Sequence, residues 1–147
     1  MPHNIHLTVA AVVEQEGRFL MVTEVCDGQL VVNQPAGHVE PGETPLEAVL
    51  RETLEETGWH VRPTALLGIT TYRAPANGVT YYRLGFCAEP IEHDASAPLD
   101  DDIEEALWLT REQLLEQWQP RSPLVLQSID DYLAGIRYPL AMMRDHR

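Results

Sequence analysis

Gly37-His-Val-Glu-Pro-Gly-Glu43, then seven residues, then Arg51-Glu-Thr-Leu-Glu-Glu-Thr-Gly-Trp59, is the stretch on which the reading of this chain turns. Its second half carries helix punctuation at both ends. Thr44 and Glu47 have capping-box spacing, Pro45 takes the first helical position, and Gly58 stands where a left-handed C-cap belongs. Between them Leu46, Val49, Leu50, Thr53 and Thr57 recur at helical spacing as a buried stripe, with Leu54 at its edge. Glu52, Glu55 and Glu56 share the other side, so three carboxylates converge on one patch. Glu55 can pair with Arg51 one turn earlier, whereas Glu52 has only Ala48 and Glu56 as helical neighbours. A hard cation such as Mg²⁺ offsets clustered carboxylates, taking two or so as ligands and completing its shell with water and phosphate oxygens. A solvated acidic helix face presents the same residues, so the triplet alone does not separate the two.

The flanking residues do separate them. The stretch follows Gx5Ex7REUxEExGU, with U a bulky apolar residue, over 23 residues and fills every position fixed to one residue type. Thr53 departs from the pattern, standing where an aliphatic residue is usual; Trp59 suits the closing apolar position. The segment resembles the signature of the Nudix hydrolase family. That resemblance implies metal ligation by Glu52, Glu55 and Glu56 and by the Gly37 carbonyl. It implies that Arg51 orients the glutamates and that Glu43 pairs with Arg51, tying loop to helix. The implied chemistry is phosphoryl transfer to water: Mg²⁺, with Mn²⁺ as the alternative ion, neutralises a diphosphate while a carboxylate takes the water's proton. Glu52 is the first candidate for that base, with Arg51 and Glu55 in the catalytic set. The segment Asp100-Asp-Asp-Ile-Glu-Glu105 supplies a second candidate, because many family members carry a metal-reaching acid six residues before a strand Trp, here Asp102 before Trp108. A solubilising acidic loop reads the same way.

Composition narrows the partners. With 147 residues, 44% of them apolar, the chain is expected to form one domain over 1–147 with one core. Ten basic residues against 23 acidic ones give a net charge of −13, which argues against nucleic acid, a partner that needs a basic footprint. The same charge means that a polyphosphate needs metal to approach the acidic patch. Cys26 and Cys87 have no ligand spacing and read as reduced thiols. Met-Pro-His-Asn-Ile-His at the start has neither a basic segment nor a long apolar run, so we expect a cytoplasmic protein with no membrane partner. Nothing in the sequence distinguishes monomer from homodimer.

Leu7–Val13 and Arg18–Val25 read as a hairpin across Gln15-Glu-Gly17; Asp27-Gly28 turns the chain into a strand over 29–33 that delivers Gln34-Pro-Ala-Gly37 to the metal loop. Strands are expected over 64–72 and 79–88, an acidic loop over 89–101, and a strand over 106–109. Thr110 with Gln113 caps one closing helix, and Ser122-Pro123 opens another that Gly135 ends. This order suggests an α/β fold, an α/β/α sandwich around a mixed sheet, as the family resemblance also implies.

Substrate choice lies outside the signature. Gln34-Pro-Ala-Gly-His38, with Arg121-Ser-Pro-Leu and Arg137-Tyr-Pro-Leu140, resembles a phosphatase subgroup of the family over most of the chain. That resemblance implies hydrolysis of nucleoside di- and triphosphates, thiamine pyrophosphate and hydroxymethylpyrimidine pyrophosphate. Arg73, Arg83 and Arg121 are the scarce cations available to clamp phosphate, His38 a further donor, and Tyr72, Tyr82 and Trp108 rings on which a base can stack. Each also has an ordinary role as surface ion-pair partner, loop-shaping residue or core aromatic. The alternatives are an ADP-sugar pyrophosphatase, suggested by Pro35-Ala-Gly37 and Pro75, and a Nudix nucleotide sensor without catalysis, which the presence of all three glutamates disfavours.

Overall fold

β1 (Ile5–Gln15) is the strand around which the molecule is built. Its Val9-Ala-Ala-Val-Val13 run is buried on both faces, the mark of a strand covered from two sides. A computed structural model describes residues 4–147, so Met1–His3 of the N-terminal reading lie outside the described residues. β1 runs parallel to β6 (Thr80–His93) and antiparallel to β4 (Ala36–His38) and β2 (Arg18–Cys26), while β6 pairs antiparallel with β5 (Trp59–Arg73). β2 in turn carries β3 (Gln29–Asn33) and β7 (Ile103–Leu109). The result is a mixed seven-stranded sheet.

Alternation along β1 sends Val9, Ala11 and Val13 to one face, where they meet Ala48 and Val49 of α1 (Pro45–Thr57), together with Leu84 and Phe86. Val12 points to the other face, toward Leu114 of α2 (Arg111–Gln117) and Val125 and Ile129 of α3 (Leu124–Leu133). Helices therefore cover both faces, and the expected α/β/α sandwich is what forms. The C-terminal segment closes it: Tyr138 exchanges two backbone bonds with Leu66, each 2.8 Å, and Leu140 and Met143 pack beside α1.

Three local readings are corrected. Leu50 is 40% exposed rather than part of the buried stripe, and Ala48 takes its place. β5 and β6 run well past their expected ends, leaving only 94–102 of the acidic loop; they absorb Pro63 and Pro90 by shifting register near them. Residues 36–38, read as approach to a loop, form the short strand β4.

Candidate metal centre and active site

The signature helix starts as its sequence dictates. The Thr44 hydroxyl accepts the Glu47 amide at 3.1 Å, the Glu47 carboxylate accepts the Thr44 amide at 2.8 Å, and Gly58 closes the helix at φ +77°. Thr53, the departure from pattern, is fully buried, and its hydroxyl donates to the Val49 carbonyl at 2.7 Å. A hydroxyl at this buried position is thus satisfied by its own helix.

Arg51 is the hub. Its Nε and Nη2 donate to both Glu43 oxygens at 2.7 and 2.9 Å, Nη1 donates to Glu52 at 2.8 Å and Glu55 at 3.2 Å, and Nη2 reaches the His38 carbonyl at 3.0 Å. A planar guanidinium thus fixes the loop and two glutamates at once. Its hydrogen bonds hold Glu43 below the usual carboxylate range. Burial pushes Glu52 up, with Arg51 opposing the rise.

Carboxylate oxygens of Glu52, Glu55 and Asp100 all lie within 4.8 Å of one another. The acid that the 100–105 segment contributes is Asp100, not the expected Asp102. Asp100 is held at the end of α1 by donating its backbone amide to the Glu55 carbonyl at 2.9 Å, whereas Asp102, further round the following turn, is exposed outside the cluster. Glu56 is more deeply set. The Ala36 amide donates to it at 2.9 Å, and burial, with Glu52 and Glu24 adding repulsion, drives its pKa up to about 8. Gly37 lies over Glu52, and a Cβ there would come 2.1 Å from the glutamate's carboxyl carbon. The set suits a hard divalent ion: oxygen donors only, clustered beyond what Arg51 alone neutralises, with Glu56 disfavoured as a free anion by its burial.

The other expected residues divide. Arg121 pairs with Glu24, whose charge in turn acts on Glu56, so this arginine stands beside the acidic site. His38 is on the opposite face of β4 from Gly37, where its Nε2 lies 3.0 Å from Nδ1 of His6 and both rings approach Tyr81. Burial and His6 hold His38 below the usual imidazole value. Tyr82 takes the other face of β6, beside Leu7, and is 40% exposed, whereas Tyr81 lies beside the two histidines. Arg83, expected to clamp phosphate, is instead buried: its Nη2 donates to Gln34 at 2.9 Å and Asn33 at 3.4 Å, its Nε finds no partner, and burial lowers its pKa to about 10. The cavity beside it, toward α3, measures about 20 Å³ and has room for water alone. Arg73 ends β5, exposed and in register with Thr80. Trp108 packs edge-on to Trp59 at the core margin, and Tyr72 lies on β5 opposite Tyr81. Sequence spacing did not single out Asp100 within the acidic segment, nor the grouping of His6 and Tyr81 with His38.

The family model of the NUDIX domain matches residues 4–128. The chain belongs to the Nudix family. It is 41% identical to the protein named Phosphatase NudJ of Escherichia coli (strain K12), covering 95% of this chain and 91% of that protein. The solved structure described as a NUDIX hydrolase from Nitrosomonas europaea superposes with a TM-score of 0.92 at 42% identity, covering 96% of this chain and 97% of that one. A UDP-X diphosphatase structure shares the fold at a TM-score of 0.74 but only 17% identity, over 95% of this chain and 68% of that one. The scaffold is therefore common to enzymes with different substrates. This chain is a Nudix hydrolase similar to Phosphatase NudJ, in a family that generally uses divalent metals. Among the described residues no helix is long and apolar enough to cross a membrane.

Proposed function

We propose that this enzyme hydrolyses the phosphoanhydride bonds of nucleoside di- and triphosphates and of thiamine-related pyrophosphates, and that it requires Mg²⁺, or Mn²⁺ in its place. The observation that carries the reading is the convergence of Glu52, Glu55 and Asp100 within 4.8 Å beside the raised-pKa Glu56. These acids, with the Gly37 carbonyl, would hold the metal. A bound divalent ion there supplies charge neutralisation of the diphosphate and acidifies water. Glu52, half-buried and less acidic than an ordinary glutamate, takes the proton of the attacking water as the water oxygen bonds to phosphorus and the bridging oxygen leaves with its phosphate. Arg51 keeps Glu52 and Glu55 aimed through that step. Arg121 and the His38 ring contact the substrate's remaining phosphate and sugar groups, and the neighbouring Tyr81 offers a face for its ring.

Support comes from the 41% identity to Phosphatase NudJ over nearly the whole of both chains. The test is product analysis on GDP, GTP, thiamine pyrophosphate and ADP-ribose with Mg²⁺, with and without chelator. Inorganic phosphate from the first three, abolished by chelation, is the expected result. AMP from ADP-ribose as the main product would replace this reading with ADP-sugar pyrophosphatase activity.

A further inference from the structure

Beyond the C-terminal end of α1, between Trp59, Trp108 and the chain that follows β6, lies an open cleft of about 520 Å³, which is the size of a small-molecule site. Its floor is aromatic. Trp108 meets Trp59 edge-to-face at 5.5 Å, and His93 stacks on Trp59 at 5.1 Å. Its titratable lining is Asp94, Glu104 and Glu105 with one imidazole, His93, and no Lys or Arg. The Asp94 carboxyl is held below its usual range by accepting two bonds from Ser96 through one oxygen, which leaves the other oxygen without a bond to Ser96. Among the described residues neither Glu104 nor Glu105 has an ion-pair partner. Glu104 is the extra residue where β7 bulges against β2, between Ile103 opposite Glu24 and Glu105 opposite Thr23, and both glutamates are exposed at the cleft.

Such a surface repels phosphate and attracts positive charge carried on an apolar body, because the indoles offer apolar contact while Asp94, Glu104 and Glu105 supply the opposing charge. We propose that this cleft is a binding site for an organic cation of the alkyl- or arylammonium class. The site shares no residue with the glutamate cluster or with Arg121, and it does not rest on the hydrolytic reading.

The probe is choline, compared with its neutral isostere 3,3-dimethylbutan-1-ol, in calorimetric and tryptophan-fluorescence titrations of the full chain. Choline is expected to bind roughly tenfold more tightly than the isostere. The double variant Glu104→Gln/Glu105→Gln, at exposed positions that leave the core untouched, is expected to remove most of that preference while the isostere's affinity stays unchanged. Trp108→Leu, with its fold checked by thermal denaturation, weakens both ligands. Equal affinity for the two probes, no binding of choline, or a choline affinity untouched by the glutamine variant would overturn the assignment.

Discussion

Glu56 accepts the Ala36 amide on one oxygen and is otherwise desolvated, so the metal-free protein holds its proton up to about pH 8. The linkage has a definite sign. A native pKa raised above the unfolded value of 4.5 contributes stability that is full below that value and is lost as pH rises through about 8. Metal-free enzyme therefore loses stability from about pH 4.5 to 8, Glu56→Gln flattens that slope, and divalent ion reverses it because a ligand must give up its proton; thermal denaturation across pH, with and without Mg²⁺, measures all three. The same variant lowers kcat by roughly two to four orders of magnitude with little loss of fold, since no core group is removed. Wild-type turnover in Glu56→Gln would refute the ligand assignment. Gly37→Ala is a sharper probe. Its added methyl falls 2.1 Å from the Glu52 carboxyl carbon, so Glu52 must swing out of the cluster. We expect at least a tenfold loss of kcat with only a modest fall in thermal midpoint. At this scale Glu52, Glu55 and Arg51 were legible from helical spacing, because one turn of helix fixes their neighbours. Asp100 was not, since what selects it over Asp102 is a backbone bond to Glu55 that no local spacing encodes.

Elements differ in how far local chemistry determines them. α1 begins and ends where its capping box and Gly58 require, and Thr44→Ala should cost about 1 kcal/mol of stability by removing the hydroxyl that holds the Glu47 amide. Equilibrium denaturation reads that loss, and Thr44→Ser should restore most of it. The long strands were less legible. The expected strands over 64–72 and 79–88 stop short of Pro63 and Pro90, yet β5 lies at the end of the sheet order and shifts its register against β6 near each proline. β4 has three residues and is a strand only because Val9 and its neighbours lie alongside. Alternation along β6, legible in principle, decides the fates of three residues: Tyr81 and Arg83 face the α3 side, and Tyr82 the other. Arg83 thereby becomes an internal tie to Gln34 and Asn33. Arg83→Met should lower stability by leaving the buried Gln34 Oε1 without its donor, while changing KM for a nucleoside triphosphate by less than about threefold; a much larger rise in KM would return Arg83 to the substrate.

For the molecule as a whole, the net charge of −13 sets the conditions for activity. A polyphosphate approaches such a surface only where cations gather, and the described clusters concentrate acid at the α1 patch while Arg51 and Arg121 supply the nearby positive charge. The sandwich was legible because a doubly buried β1, a capped amphipathic helix and two closing helices admit few arrangements. The cluster of His6, His38 and Tyr81 was not, because its side chains come from β1, β4 and β6, which only the folded sheet brings together. The central claim is that the carboxylates around α1 form a divalent-metal site. Mn²⁺ uptake followed by the loss of its free-ion EPR signal tests it directly, in wild type and in Glu52→Gln/Glu56→Gln. We predict at least one equivalent bound by the wild type, displaced by Mg²⁺, and uptake reduced to a weak residual in the variant. Uptake of equal affinity and stoichiometry in both proteins would contradict it.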